Sequence, residues 1–174
     1  MARATEEVEF EQMLLSRFGL ASHGRVPGRA MDKSAYILLS RIRLQGPMSI
    51  GEISEAFDLD VSTVNRQTRA AMEAGLVERI ADPAGGLARK FRITALGQQK
   101  LDDDRSFNVR SLDAVMADWP EADIAQFAVL LRRFNAGIER MGAVPWPRPD
   151  EAAGAEPGDS GASADGPVQQ ELAV

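Results

Sequence analysis

No cysteine occurs in the 174-residue chain, and histidine occurs once, at His23. The first absence excludes disulfides, thiolate zinc sites and cysteine-based peroxide sensing within the chain; the second argues against metal sensing through histidine clusters. The sequence has no Ser/His/Asp arrangement, no phosphate-cradling glycine loop and no metal cluster, so neither enzymatic activity nor a cofactor is expected. Asp102, Asp103 and Asp104 are consecutive. On a helix they would point in three directions, so they read as a solvated face, not as ligands converging on one ion. No apolar run approaches membrane-spanning length and the first residues lack a secretory apolar stretch, which predicts a cytoplasmic protein with no membrane partner. The length and the 44% apolar fraction suit one domain plus a tail, with enough chain to bury a core.

The net charge of −6 is unevenly spread. Residues 25–110 hold fourteen basic and eleven acidic side chains, whereas residues 111–174 hold four basic and eleven acidic ones. The positive surplus therefore lies in the middle of the chain, the segment whose pattern suggests a polyanion partner. The surplus is small, so strong binding would depend on pairing two copies.

The stretch from Ser49 to Thr94 organises the rest. Ser49 with Glu52 three residues later forms a capping box, and Ile50, Ile53, Ala56 and Phe57 follow at helical spacing. Asp58-Leu59-Asp60 reads as a tight connection, with Leu59 turned inward and Asp60 capping the next helix. In that second helix, residues 61–74, Val64, Thr68, Ala71 and Gly75 share one face, with Met72 beside it. The opposite face carries Ser62, Arg66, Arg69 and Glu73, flanked by Thr63 and Asn65. Arginine can grip guanine and asparagine adenine, while Ser and Thr can take a phosphate or a base edge. This face and Ser49 form the candidate DNA-contact set; the bland alternative is a solvated helix face, since exposed arginine is common. Gly75-Leu76 ends the helix, Leu76, Val77 and Ile80 lead a strand, residues 82–86 carry turn chemistry, and Phe91 and Ile93 alternate with Lys90 and Arg92. Helix, turn, helix and a basic hairpin make a winged helix-turn-helix, with Arg89 and Lys90 near the wing tip as further phosphate or minor-groove contacts. The fold class is thus mainly α with a small β-hairpin wing.

The run "STVNRQTRAAMEAGLVERIADP", then "ARKFRIT" and Gly97, resembles the MarR (multiple antibiotic resistance regulator) family. Ser62, Thr63, Val64, Arg66, Gly75, Leu76, Val77, Asp82, Pro83, Thr94 and Gly97 match its pattern position by position. One departure is clear: family wings usually carry an Asp-Arg step at the tip, where this chain has Gly85-Gly86-Leu87. The resemblance implies a homodimeric transcription regulator binding double-stranded DNA. It also implies a pocket for a small aromatic effector between the dimer helices and the DNA-binding lobe, which His23 and Tyr36 would line. Read on their own, these two are a surface histidine and a packed tyrosine.

The flanks fit that outline. Residues 5–21 read as a helix with an apolar stripe of Phe10, Met13, Leu14 and Phe18, joined by Leu20 or Ala21; residues 23–29 read as a loop. Asp32 caps a helix to about Leu44 with Ala35, Leu38, Leu39 and Ile42 inward, Arg41 and Arg43 outward or toward a partner, and Gly46 as its stop. Thr94 caps a long helix running to Trp119, and Pro120 opens a last one with Ile124, Phe127, Ala128, Leu131, Phe134 and Ile138 on one side. Broad apolar stripes at both ends predict an intertwined homodimer; the alternative is a monomeric helical core. The division expected is residues 1–30 as an N-terminal dimerisation helix and loop, 31–94 as the DNA-binding lobe, 95–142 as C-terminal dimerisation helices, and 143–174 as a disordered acidic Pro/Gly/Ala-rich tail. The function predicted is a dimeric, sequence-specific transcriptional regulator, acting as a repressor on an inverted repeat. A winged-helix protein-interaction module with no DNA target is the alternative.

Overall fold

The computed structural model describes residues 4–18 and 31–149. His23, Leu20 and Ala21 lie outside the described residues. Among the described residues six helices and three short strands follow in order: α1 Thr5–Phe18, α2 Lys33–Gln45, β1 Met48–Ser49, α3 Ile50–Phe57, α4 Val61–Glu73, β2 Val77–Ile80, β3 Lys90–Ile93, α5 Ala95–Val115 and α6 Glu121–Arg140.

Local chemistry sets most of these boundaries. Asp32 accepts the Ala35 amide at 2.8 Å to start α2, and Gly46 at φ 84° ends it, a conformation that costs a side-chain-bearing residue more. At the start of α3 the Ser49 oxygen accepts the Glu52 amide at 3.3 Å while Glu52 accepts the Ser49 amide at 2.6 Å, the reciprocal cap read from the sequence. The core gathers Leu38, Leu39 and Ile42 from α2, Ile53 and Ala56 from α3, Val64 and Ala71 from α4, Met48, Val77, Phe91 and Ile93 from the strands, and Leu101 from α5. Thr68 is buried among them at little cost, because its hydroxyl donates to the Val64 carbonyl at 2.8 Å.

The sheet has three strands in the order β1-β3-β2, all antiparallel, with Met48 opposite Phe91 and Val77 opposite Ile93. A two-residue strand has no periodicity to read, so β1 could not be seen in the sequence. A tight joint fuses helix α4, the sheet and α5. The Thr94 hydroxyl donates to the Gly75 carbonyl at 2.6 Å and accepts the Gly97 amide at 3.0 Å. Gly97 lies so close to the backbone leading into β2 that a Cβ there would stand 2.1 Å from the Leu76 carbonyl oxygen.

Several expectations are corrected. Leu59 is exposed: the turn closes through backbone bonds, with the Leu59 amide on Ser54 and Asp58 left-handed at φ 51°, and needs no apolar anchor. Asp60 holds the N-cap position of α4, but its side chain makes no capping bond; its carbonyl takes the Thr63 and Val64 amides. Met72 also faces solvent. Asp104 is buried, so only Asp102 and Asp103 of that run are solvated, and Asp102 pairs with Arg43. Helix α5 stops at Val115, and Trp119 stands beyond it with its ring 5.8 Å from Phe127. Pro120 is the N-cap of α6, one residue before the helix.

Arg41 is the largest departure. It is buried, not outward, and what buries it is the chain after α6, where composition alone reads as tail. Its guanidinium lies 4.9 Å from the Trp146 ring centre and donates to the Pro145 carbonyl at 3.1 Å.

Candidate nucleic-acid interface

The helix-turn-helix consists of α3, the Asp58–Asp60 turn and α4. Val64, Thr68 and Ala71 pin one side of α4 to the core, so helical geometry turns the other side out. On that side Ser62, Asn65, Arg66 and Arg69 are exposed, and Thr63 is half-buried at the edge nearest the turn.

The side chains differ in how free they are. Arg66 has no ion-pair or hydrogen-bond partner among the described residues. Arg69 donates to Glu73 one turn on at 2.8 Å, a contact that pushes its pKa further up; at this exposure such a pair exchanges readily for a phosphate or base. The Asn65 amide nitrogen donates to the Val61 carbonyl at 3.0 Å, which leaves its oxygen and its second N–H for other partners.

The wing joins β2 to β3 through an exposed loop. Arg89 is exposed there without an ion-pair partner among the described residues, and Leu87 at the tip is exposed. Lys90 is different. Its ammonium sits 3.2 Å from Glu52 and 3.5 Å from Asp82, mostly shielded from solvent, and these two carboxylates raise its pKa, Glu52 foremost. It is not at the tip: it opens β3, paired with Ser49 on one side and Ile80 on the other. Glu52 in turn is held below the ordinary carboxylate range, chiefly by the Ser49 amide, which outweighs the opposing effect of burial, with the Ser49 hydroxyl and then Lys90 adding to the lowering. Ser49, Glu52, Lys90 and Asp82 therefore form one chain of contacts tying the first turn of α3 to the base of the wing. Arg92 is paired with Glu78 at 2.7 Å, and Arg79 lies over the Phe91 ring at 5.9 Å.

Of the two residues expected to line an effector pocket, His23 lies outside the described residues and Tyr36 is half-buried and packed against the core cluster. Sequence reasoning missed the Arg41–Trp146 contact. The signal available was the Pro-Trp-Pro-Arg run at 145–148, an aromatic and a cation inside an otherwise small and acidic segment.

A short helix-turn-helix with an outward polar second helix and a following hairpin defines the winged helix-turn-helix class. Residues 33–84 match the MarR family profile. The chain is 33% identical over 105 residues to an uncharacterized HTH-type transcriptional regulator, YxaD, of Bacillus subtilis (strain 168), covering 60% of this chain and 73% of that protein. The chain belongs to the MarR family of transcription regulators, which are not enzymes. Solved structures share the fold. A MarR family protein from Bacillus stearothermophilus superposes with a TM-score of 0.60 at 20% identity, covering 80% of this chain and 99% of that one. A transcriptional regulator from Thermotoga maritima gives 0.52 at 22%, covering 76% and 95%. No helix among the described residues is long and apolar enough to cross a membrane.

Proposed function

We propose that this regulator acts as a cytoplasmic homodimeric repressor that reads an inverted-repeat operator through the outward side of α4. The observation that carries the proposal is the two-sidedness of that helix: Val64, Thr68 and Ala71 are buried, while Ser62, Asn65, Arg66 and Arg69 are exposed. Arg66 and Asn65 make base-edge contacts, Ser62 and Thr63 bind phosphate or base at the helix N-terminus, and Arg69 reaches a phosphate or base once released from Glu73. Arg89 contacts the backbone or minor groove beside the wing. Lys90 and Ser49 contribute mainly by holding the wing and α3 in register, since both are already engaged within the protein.

Dimerisation through residues 1–30 and 95–142 is supported by the apolar surface of the terminal helices. Phe10 of α1 is 53% exposed, Phe127 and Phe134 of α6 are each 44% exposed, and α6 has no buried residue at all. So much exposed aromatic surface on the terminal helices calls for a partner helix. A small aromatic effector, with Tyr36 and His23 near its site, would relieve repression by favouring a dimer whose lobes are wrongly spaced. The other reading, a winged-helix module that binds protein, draws on the exposed Leu87 at the wing tip and on the net acidity.

The test is a gel-shift on the promoter region of the protein's own operon, with and without excess competitor DNA, alongside light scattering. A dimer mass and a competitor-resistant complex are expected. A shift abolished by any competitor at the same concentration would favour the protein-binding module.

A further inference from the structure

Past Arg140 the chain turns back and grips two parts of the molecule at once. On the helix side, Glu139 of α6 accepts the Trp146 amide at 3.2 Å and the Arg148 guanidinium at 2.9 Å, while Arg148 also donates to the Trp146 carbonyl at 2.8 Å. These bonds hold Glu139 below the usual carboxylate range, Arg148 first and the Trp146 amide second. On the lobe side, the Trp146 ring stacks on Phe57 with centres 5.6 Å apart and lies against the Arg41 guanidinium, which also donates to the Pro145 carbonyl and to Gln45 at 2.7 Å. Arg41 is buried with neutral partners for its charge, so the ring face and the Pro145 oxygen are part of what compensates its loss of water. Pro145 and Pro147 stiffen the backbone on either side of the ring.

The place of attachment matters. Phe57 is the last residue of α3, immediately before the turn that aims α4. Glu139 lies in the last turn of α6, which has no buried residue of its own to fix it against the lobe. We infer that residues 145–148 are a strap that locks the recognition lobe to α6, so that Trp146 and Arg41 are positioning residues that set the spacing between the two α4 helices of the dimer. The inference rests on the dimeric DNA-binding reading above. A lobe hinged on α5 alone could tilt to meet half-sites at several separations; a lobe strapped also to α6 accepts one.

The experiment exploits the absence of cysteine. Ala70→Cys, on the exposed side of α4, gives one spin-label site per subunit in the full chain, and the distance between labels in the dimer is measured by pulsed electron resonance. Wild type should give one narrow distance distribution, Trp146→Ala a broad one, and Trp146→Phe should restore the narrow one. In parallel, the wild-type protein selects a palindromic site from a randomised duplex pool, and binding is measured as its half-sites are moved apart or together. Wild type should lose about tenfold or more for a two-base-pair change, and Trp146→Ala about threefold or less. Thermal melting and light scattering on each variant establish that it is folded and dimeric. Equal distance widths in wild type and Trp146→Ala, or an equal loss of binding at every spacing, overturn the strap while leaving the dimeric reader intact. A wild-type monomer overturns both.

Discussion

In the proposed reading recognition turns on Arg66, the cation on the outward side of α4 with no competing partner among the described residues. Arg66→Ala is expected to cost about 1–3 kcal/mol of binding and to relax preference at one base pair, measured by anisotropy on single-substituted sites. Equal loss on every sequence would make it a phosphate contact. Arg89 and Lys90 are neighbours in different settings, the first exposed and the second ion-paired. Arg89→Ala should lower the slope of log affinity against log salt by about one, as expected when one phosphate contact is removed, whereas Lys90→Gln should weaken binding with little change in slope. The reverse pattern would move Lys90 into the DNA contact set. Glu52 gives a pH signature. Its folded pKa is depressed, so the stability it contributes is present above the unfolded value of about 4.3 and lost as pH falls through the folded one. Glu52→Gln should therefore flatten the fall of thermal midpoint between about pH 5 and about pH 3, leaving the profile near neutrality parallel to wild type.

At the scale of elements, the structure depends on how closely α5 approaches β2. Gly97→Ala should destabilise the fold by about 3 kcal/mol or more in urea unfolding, since the new Cβ would collide with backbone at Leu76 and no flexible side chain could yield. A loss under about 1 kcal/mol would mean that the joint can open. What the sequence made legible is of this local kind. The Asp32, Ser49 and Thr94 caps, the stop at Gly46 and the two sides of α4 each follow from bonds or spacing within a few residues. What stayed hidden is long-range or too short to show a period. The Arg41–Pro145 contact joins residues 104 apart, β1 is two residues long, and the apolarity of Leu59 suggests an inward side chain although the turn is closed by backbone. The candidate contacts on α4 were legible because one helical face was enough to assign them; the engagement of Lys90 was not, because its partners sit on two other segments.

For the whole molecule, a single lobe presents few free cations on an acidic chain, and the terminal helices present aromatic stripes to solvent. The two-fold dimer proposed above would resolve both features together, doubling the contact with DNA and covering the stripes. Affinity should then fall steeply with salt. The account's central claim is that two copies of the outward side of α4 enter successive major grooves. Hydroxyl-radical footprinting of the full chain on its selected site tests it most directly. The expected result is two equivalent protected patches on one side of the duplex, centred about one helical turn apart and both lost in Arg66→Ala. A single unsymmetrical patch, or protection unchanged by Arg66→Ala, would contradict it.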